Sequence, residues 1–160
     1  MNVYFLRHGI AGDREDWRGD DSQRPLTPEG VKKMEREAKS IAKLDLALDA
    51  VLTSPLVRAA QTAEIVAREL KLRDVLSEDD DLGPQFNVGR LRNVLEQHRA
   101  AEAIMLVGHE PSFSQTIGAV IGGAKVQLKK GALACVDMDP QSMRGELVWL
   151  LPPKVLAAKS

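Results

Sequence analysis

Three short stretches, far apart in the chain, carry residue types able to handle a phosphoryl group. They are Arg7-His8-Gly9, Thr53-Ser54-Pro55 with Arg58 just behind, and Gly108-His109-Glu110-Pro111. Imidazole is a competent nucleophile that splits one hard displacement into two easier ones through a covalent intermediate. Arginine presents a planar fork of donors matched to phosphate oxygens. A phosphoryl group in transit needs in-line positioning and charge stabilisation, which two arginines and a second histidine can supply. Neighbouring cations would lower the pKa of such an imidazole and leave its lone pair free for attack. This chemistry requires no metal and no cofactor, and the chain has no Cys/His metal-ligand spacing.

For these residues to meet, the elements that carry them must end on one edge. Val3-Tyr4-Phe5-Leu6 reads as a short buried strand that stops at Arg7. Asp49–Thr53 reads as a second strand, and the apolar run Ala103–Val107 as another, ending at Gly108-His109. A short strand at Val75-Leu76 precedes the acidic run Glu78–Asp81. Thr27 is a good N-cap and Pro28 suits the first helical position, with Val31, Met34, Ala38, Ile41 and Ala42 following at helical spacing. A second helix opens at Ser54-Pro55 and buries Leu56, Ala59, Ala63, Val66 and Leu70. A third spans Val88–His98, and a fourth carries Phe113, Ile117, Val120 and Ile121. The last third changes to strands, Val126–Leu128, Ala132–Asp137 and Glu146–Leu151, joined by turns containing Gly or Pro.

This order predicts an α/β fold, a three-layer sandwich with a mainly parallel central sheet and an antiparallel carboxyl-terminal portion. The 160 residues suffice for one domain with a proper core, expected to span 1–160. Open α/β sheets bind ligands at the carboxyl ends of their strands, so Arg7, His8, Arg58 and His109 should converge there. Helix amino termini at Ser54 and Pro111 would add backbone N–H groups favourable to an anion.

Composition narrows the partners. A net charge of −1, with no basic stripe, argues against a nucleic-acid surface. No basic segment precedes a long apolar run, and none of the apolar runs reaches the ~20 residues needed to cross a bilayer. The expectation is a cytoplasmic protein that engages no membrane. Cys135 reads as a small buried strand residue, and His98 as structural. Ile10–Pro25 reads as a loop over the site, its charges mostly solvated and Trp17 pinning it to the core.

Taken together, Leu-Arg-His-Gly at 6–9, Thr-Ser-Pro-Leu-Val-Arg-Ala-Ala-Gln-Thr at 53–62 and Val-Gly-His-Glu-Pro at 107–111 resemble the motifs of the histidine phosphatase superfamily. Arg-Pro-Leu-Thr-Pro-Glu-Gly at 24–30 and Trp-Leu-Leu-Pro-Pro-Lys at 149–154 look most like its SixA-type protein phosphohistidine phosphatases. The resemblance implies a phosphoglycerate-mutase-like fold with His8 as the phosphorylated nucleophile. It also implies that Arg7, Arg58 and His109 hold the phosphoryl group, with Arg24 as a further phosphate contact. Ser54 and Gln61 read as helix cap and packing.

Many members of that superfamily carry a Glu or Asp general acid after the third strand; here the region offers Glu78, Asp79, Asp80 and Asp81 without a clear acid motif. A phosphohistidine P–N bond can break to release neutral imidazole if the ring is already protonated, whereas an alkoxide leaves badly without an acid. The expected reaction is therefore metal-independent hydrolysis of phosphohistidine on a partner protein, such as a phosphotransfer domain. The absence of a long insertion over the site agrees with a protein substrate. The alternatives are a phosphatase for small phosphomonoesters, favoured if one of Glu78–Asp81 reaches the pocket, and a non-catalytic module that binds phosphate or phosphoprotein.

Overall fold

The computed structural model describes residues 1–158. Its strands are β1 (Asn2–Arg7), β2 (Ala50–Thr53), β3 (Leu76–Glu78), β4 (Ala103–Gly108), β5 (Leu133–Asp139) and β6 (Arg144–Leu151). Its α-helices are α1 (Pro28–Lys43), α2 (Val57–Glu69), α3 (Val88–Gln97), α4 (Ser112–Val120) and the short α5 (Pro153–Leu156). The strands form one sheet in the order β3-β2-β4-β1-β5-β6. Pairings β3–β2, β2–β4 and β4–β1 are parallel, while β1–β5 and β5–β6 are antiparallel. The expected α/β sandwich, with its antiparallel carboxyl-terminal portion, is what forms.

The central strands are buried on both faces, which is why they read as unbroken apolar runs. Val3 and Phe5 join Leu52, Leu106, Leu91 and Phe113 on the side of α3 and α4. Their neighbours Tyr4 and Leu6 join Val51, Met105, Met34 and Ala63 on the side of α1 and α2. Alternation along β1 thus supplies two cores from one strand. Phe5, Phe86 and Phe113 meet edge to face, with centroids 5.3 Å apart in both contacts.

α1 begins as its sequence dictates. The Thr27 hydroxyl accepts from the Gly30 N–H at 2.9 Å, with Pro28 at the first position. A Cβ at Gly30 would collide with the Ile10 carbonyl, so glycine lets α1 press against the chain just beyond His8. The buried face of α1 also includes Glu37, at the same spacing as Met34, Ala38 and Ile41.

Four expectations need correction. Val126–Leu128 forms no strand, because both sides of β1 are already taken by β4 and β5. The segment instead buries Leu128 and turns its carbonyl towards Arg7. α2 starts at Val57 with Leu56 as N-cap, three residues beyond Ser54. β3 is Leu76–Glu78, with Arg73–Val75 coiled in a 3-10 turn before it. Trp17 is 36% exposed and pins only its own loop, its indole N–H donating to the Asp20 carbonyl at 2.9 Å. Cys135 is free and buried in β5 as expected. Among the described residues no helix is long and apolar enough to cross a membrane.

Candidate active site

Parallel pairing places Arg7 opposite Gly108 at the adjoining ends of β1 and β4, which fixes the neighbourhood of His8 and His109. The two imidazoles lie with ring centroids 5.3 Å apart, tilted by 56°. Both are buried, at 6% and 2% exposure. Arg7, His8, Arg24, Arg58 and His109 all line one cleft of about 420 Å³. The structure therefore brings together every site residue expected from the sequence.

His8 is held in one tautomer. Its Nδ1 lies 2.7 Å from the Gly9 carbonyl, which can only accept, so Nδ1 carries the proton and Nε2 keeps its lone pair. Thr62 fixes the turn beneath: its Oγ1 accepts from the Gly9 N–H at 3.1 Å and donates to the Arg58 carbonyl at 2.8 Å. Burial pushes the pKa of His8 down to about 3, against the opposing Gly9 hydrogen bond and with help from His109, Arg58 and Arg7. Burial likewise takes His109 down to about 4, with Arg58 adding to the effect and Asp21 opposing it. Both rings are neutral near pH 7, and desolvation, more than the neighbouring cations, is the cause.

The arginines are aimed by backbone carbonyls. Arg7 Nη1 donates to Leu128 at 3.0 Å, and Arg58 Nη1 donates to Asp21 at 3.0 Å. Five buried side-chain atoms among the described residues lack a hydrogen-bond partner, and three belong here: Arg7 Nε, Arg58 Nε and His109 Nδ1. Buried polar groups are normally paired, so such a cluster of nitrogens suits an anion rich in acceptor oxygens.

Arg24 reaches the cleft, but Asp21 Oδ1 takes its Nε at 3.0 Å and the Gly12 carbonyl takes Nη1. Asp21 was hidden in the sequence among many loop charges. Burial would raise its pKa, yet Arg24, Arg58 and Arg14 together bring it below the ordinary carboxylate value. Ser54 is more than a cap. Its hydroxyl, fully buried, lies 2.7 Å from His109 Nε2 and accepts from the Leu56 N–H at 3.2 Å. Gln61 ties down the loop, its Oε1 accepting from the Leu26 N–H at 2.8 Å.

The acidic run lies elsewhere. Glu78–Asp81 line a separate cavity with His98 and Gln97, not the cleft of His8. The carboxylates on the His8 cleft are Asp13, Asp21 and Glu110. Glu110 holds the start of α4, its Oε1 accepting from the Ser114 N–H at 2.7 Å. That helix end is therefore partly satisfied by the protein itself.

A model of the histidine phosphatase superfamily (branch 1) matches residues 3–84. The chain belongs to this superfamily. An uncharacterized protein of Picosynechococcus sp. is 37% identical over 138 residues, covering 83% of this chain and 82% of its own. The phosphohistidine phosphatase SixA of Escherichia coli is 27% identical over 156 residues, covering 96% of this chain and 94% of SixA. The structure of a protein histidine phosphatase SixA complexed with tungstate superposes with a TM-score of 0.85 at 27% identity, over 96% and 97% of the two chains.

Proposed function

We propose that this single histidine-phosphatase domain hydrolyses phosphohistidine on a partner protein without a metal, through a covalent intermediate on His8. The carrying observation is the His8 ring, its Nδ1–H spent on Gly9 and its Nε2 free beside Arg7, Arg58 and His109 in one cleft. The likeness to SixA across nearly the whole chain supports the choice of substrate.

The chemistry balances without outside help. His8 Nε2 forms a bond to phosphorus while the substrate P–N bond breaks, its electron pair returning to the departing imidazole nitrogen. If the other nitrogen of that ring is protonated, the ring leaves neutral and needs no acid. Phosphorylated His8 keeps Nδ1–H on Gly9 and is therefore cationic. Water then attacks phosphorus, and the P–Nε2 bond breaks with its electron pair returning to Nε2. Both water protons leave with the product as dihydrogen phosphate, and neutral imidazole is regenerated. Arg7 and Arg58, with His109, stabilise charge on the equatorial oxygens in both steps. Arg24 Nη2, which makes no hydrogen bond among the described residues, is the atom by which that side chain adds a phosphate contact.

One observation favours the second reading, a phosphomonoesterase. Glu110 lies on the cleft and could protonate an alkoxide leaving group. The test compares rates on a phosphohistidine-bearing protein and a panel of phosphate esters, for the native protein and Glu110→Gln. Preference for phosphohistidine, little affected by the substitution, is expected. Faster ester hydrolysis that collapses in Glu110→Gln would establish the second reading. Turnover of neither substrate, with unchanged phosphate affinity in His8→Ala, would leave a binding module.

A further inference from the structure

We propose that Ser54 is a positioning residue that sets the tautomer of His109, making His109 Nδ1 a hydrogen-bond donor towards the phosphoryl group. The use of that donor rests on the function proposed above; the tautomer itself does not.

The argument is a count of protons. The Ser54 hydroxyl has one proton and is completely buried. Its oxygen accepts from the Leu56 N–H, and its other neighbour is His109 Nε2 at 2.7 Å. Suppose Nε2 carried the histidine proton. The Ser54 oxygen would then accept two N–H groups and its own proton would have no acceptor among the described residues. His109 Nδ1 would be a buried lone pair, also without a partner. Two buried polar functions would go unmet.

With the proton on Nδ1, Ser54 donates to Nε2 and accepts from Leu56, and both its capacities are used. One function then remains unmatched, the His109 Nδ1–H. That atom belongs to the same ring that faces His8, and it joins the Nε atoms of Arg7 and Arg58 as an unpaired buried donor. The opposite tautomer would turn a lone pair towards phosphoryl oxygens and repel them.

Both histidines thus carry their proton on Nδ1, with opposite consequences. In His8 the Gly9 carbonyl consumes the proton and leaves Nε2 as the attacking atom. In His109 the Ser54 hydroxyl occupies Nε2 and leaves the proton for the ligand. One tautomer yields a nucleophile at one strand end and a donor at the next.

Long-range proton–nitrogen NMR on the full chain, labelled at histidine nitrogens and free of substrate, reads the tautomer directly. At pH 7 the native His109 should show a protonated Nδ1 and an unprotonated Nε2. A protonated Nε2 overturns the proposal whatever the protein's activity. In Ser54→Ala the signals should shift towards a mixture, and turnover should fall about tenfold, below the loss from deleting a donor outright. The same substitution in a His109→Ala background should cost nothing further, because the residue on which Ser54 acts is gone. An equal loss in both backgrounds, or an unshifted tautomer in Ser54→Ala, reduces Ser54 to a structural role and sinks the proposal. Should Ser54→Ala fail to fold, the native spectrum decides, together with retention of the native tautomer in Ser54→Thr, which keeps the hydroxyl.

Discussion

Asp21 and Arg58 meet twice at the mouth of the cleft. The carboxylate Oδ2 accepts from Nη2 at 3.1 Å, and the Asp21 backbone carbonyl accepts from Nη1 at 3.0 Å. Asp21 also holds Arg24, so one short side chain in the loop orients two guanidinium groups. Its position fixes direction while its charge subtracts from the positive field that an incoming phosphate meets.

These two effects separate in Asp21→Asn. Loss of the negative charge should tighten inhibition by inorganic phosphate, since fewer charges oppose the dianion. Looser guanidinium groups should lower kcat, by about tenfold, because a site misaligned by a fraction of an ångström loses transition-state contacts. Steady-state kinetics with phosphate as inhibitor gives both numbers; weaker phosphate binding with unchanged kcat would show that Asp21 acts only by holding Arg24 and Arg58 for binding, and would overturn both expectations.

Arg58→Ala should cost a hundredfold or more in kcat, in line with removal of a preorganised donor to transition-state charge. Arg58→Lys should recover little of it, because an ammonium cannot reproduce a fork that holds Asp21 while facing the ligand. The check is single-turnover phosphorylation of His8. Near-native rates in Arg58→Ala would remove this side chain from the site.

The acid limb of the rate should lie unusually low. With pKa values depressed to about 3 for His8 and about 4 for His109, neither ring takes up a proton between pH 8 and pH 5. Measured with a phosphoryl donor that does not itself titrate in that window, the rate of phosphoryl transfer to His8 should therefore hold level and fall below about pH 4. Stability follows the matching sign. Unfolded imidazoles protonate near their ordinary value of 6.5, folded ones do not, so acid favours the unfolded chain from about pH 6.5 downward. Rapid-quench phosphorylation at a series of pH values tests the first part; a midpoint near 6.5 would mean that at least one ring is far better solvated.

Glu37 slopes the other way. It is fully buried in α1 without a hydrogen-bond partner among the described residues, and burial raises its pKa to about 8, partly opposed by Lys33 and Arg36. The folded carboxyl keeps its proton while the unfolded one releases it near 4.5, so stability from this group is full below about pH 4.5 and drains away up to pH 8. Glu37→Met keeps the shape and removes the charge, and should stabilise the protein by a few kcal/mol at pH 8 and by much less at pH 5. Urea unfolding at both pH values is the measurement. A stability difference that does not grow with pH would mean that the carboxylate is ionised and paired.

The sequence was most legible where chemistry sits at the end of a strand. Arg7, His8 and His109 follow apolar runs of strand length that read as central strands, and Arg58 follows another within a turn of helix. It was least legible where position depends on contacts between loops and elements. Nothing local distinguishes Asp21 from its acidic neighbours; Arg58 and Arg24, brought close by the fold, single it out. Ser54 looked like a cap because a serine before a proline often is one, and the strand pairing turned it towards His109. Val126–Leu128 has strand composition, yet the sheet had no free side next to β1 to receive it. Glu37 did carry a signal, since it shares the spacing of Met34, Ala38 and Ile41, but a charged residue on an apolar stripe is easily assigned to solvent.

The pairing of β1 with β4 also has a consequence in time. Their contact closes a span on the order of a hundred residues, an entropically demanding step of the kind that comes late and slows folding. During synthesis β1 must wait, its apolar faces uncovered, until β4 has emerged. A slip of one residue between them would turn each buried side chain to the opposite face and carry His8 away from His109. Recovery of catalytic power on refolding would then report the correct joining of these two strands, rather than mere collapse of the chain.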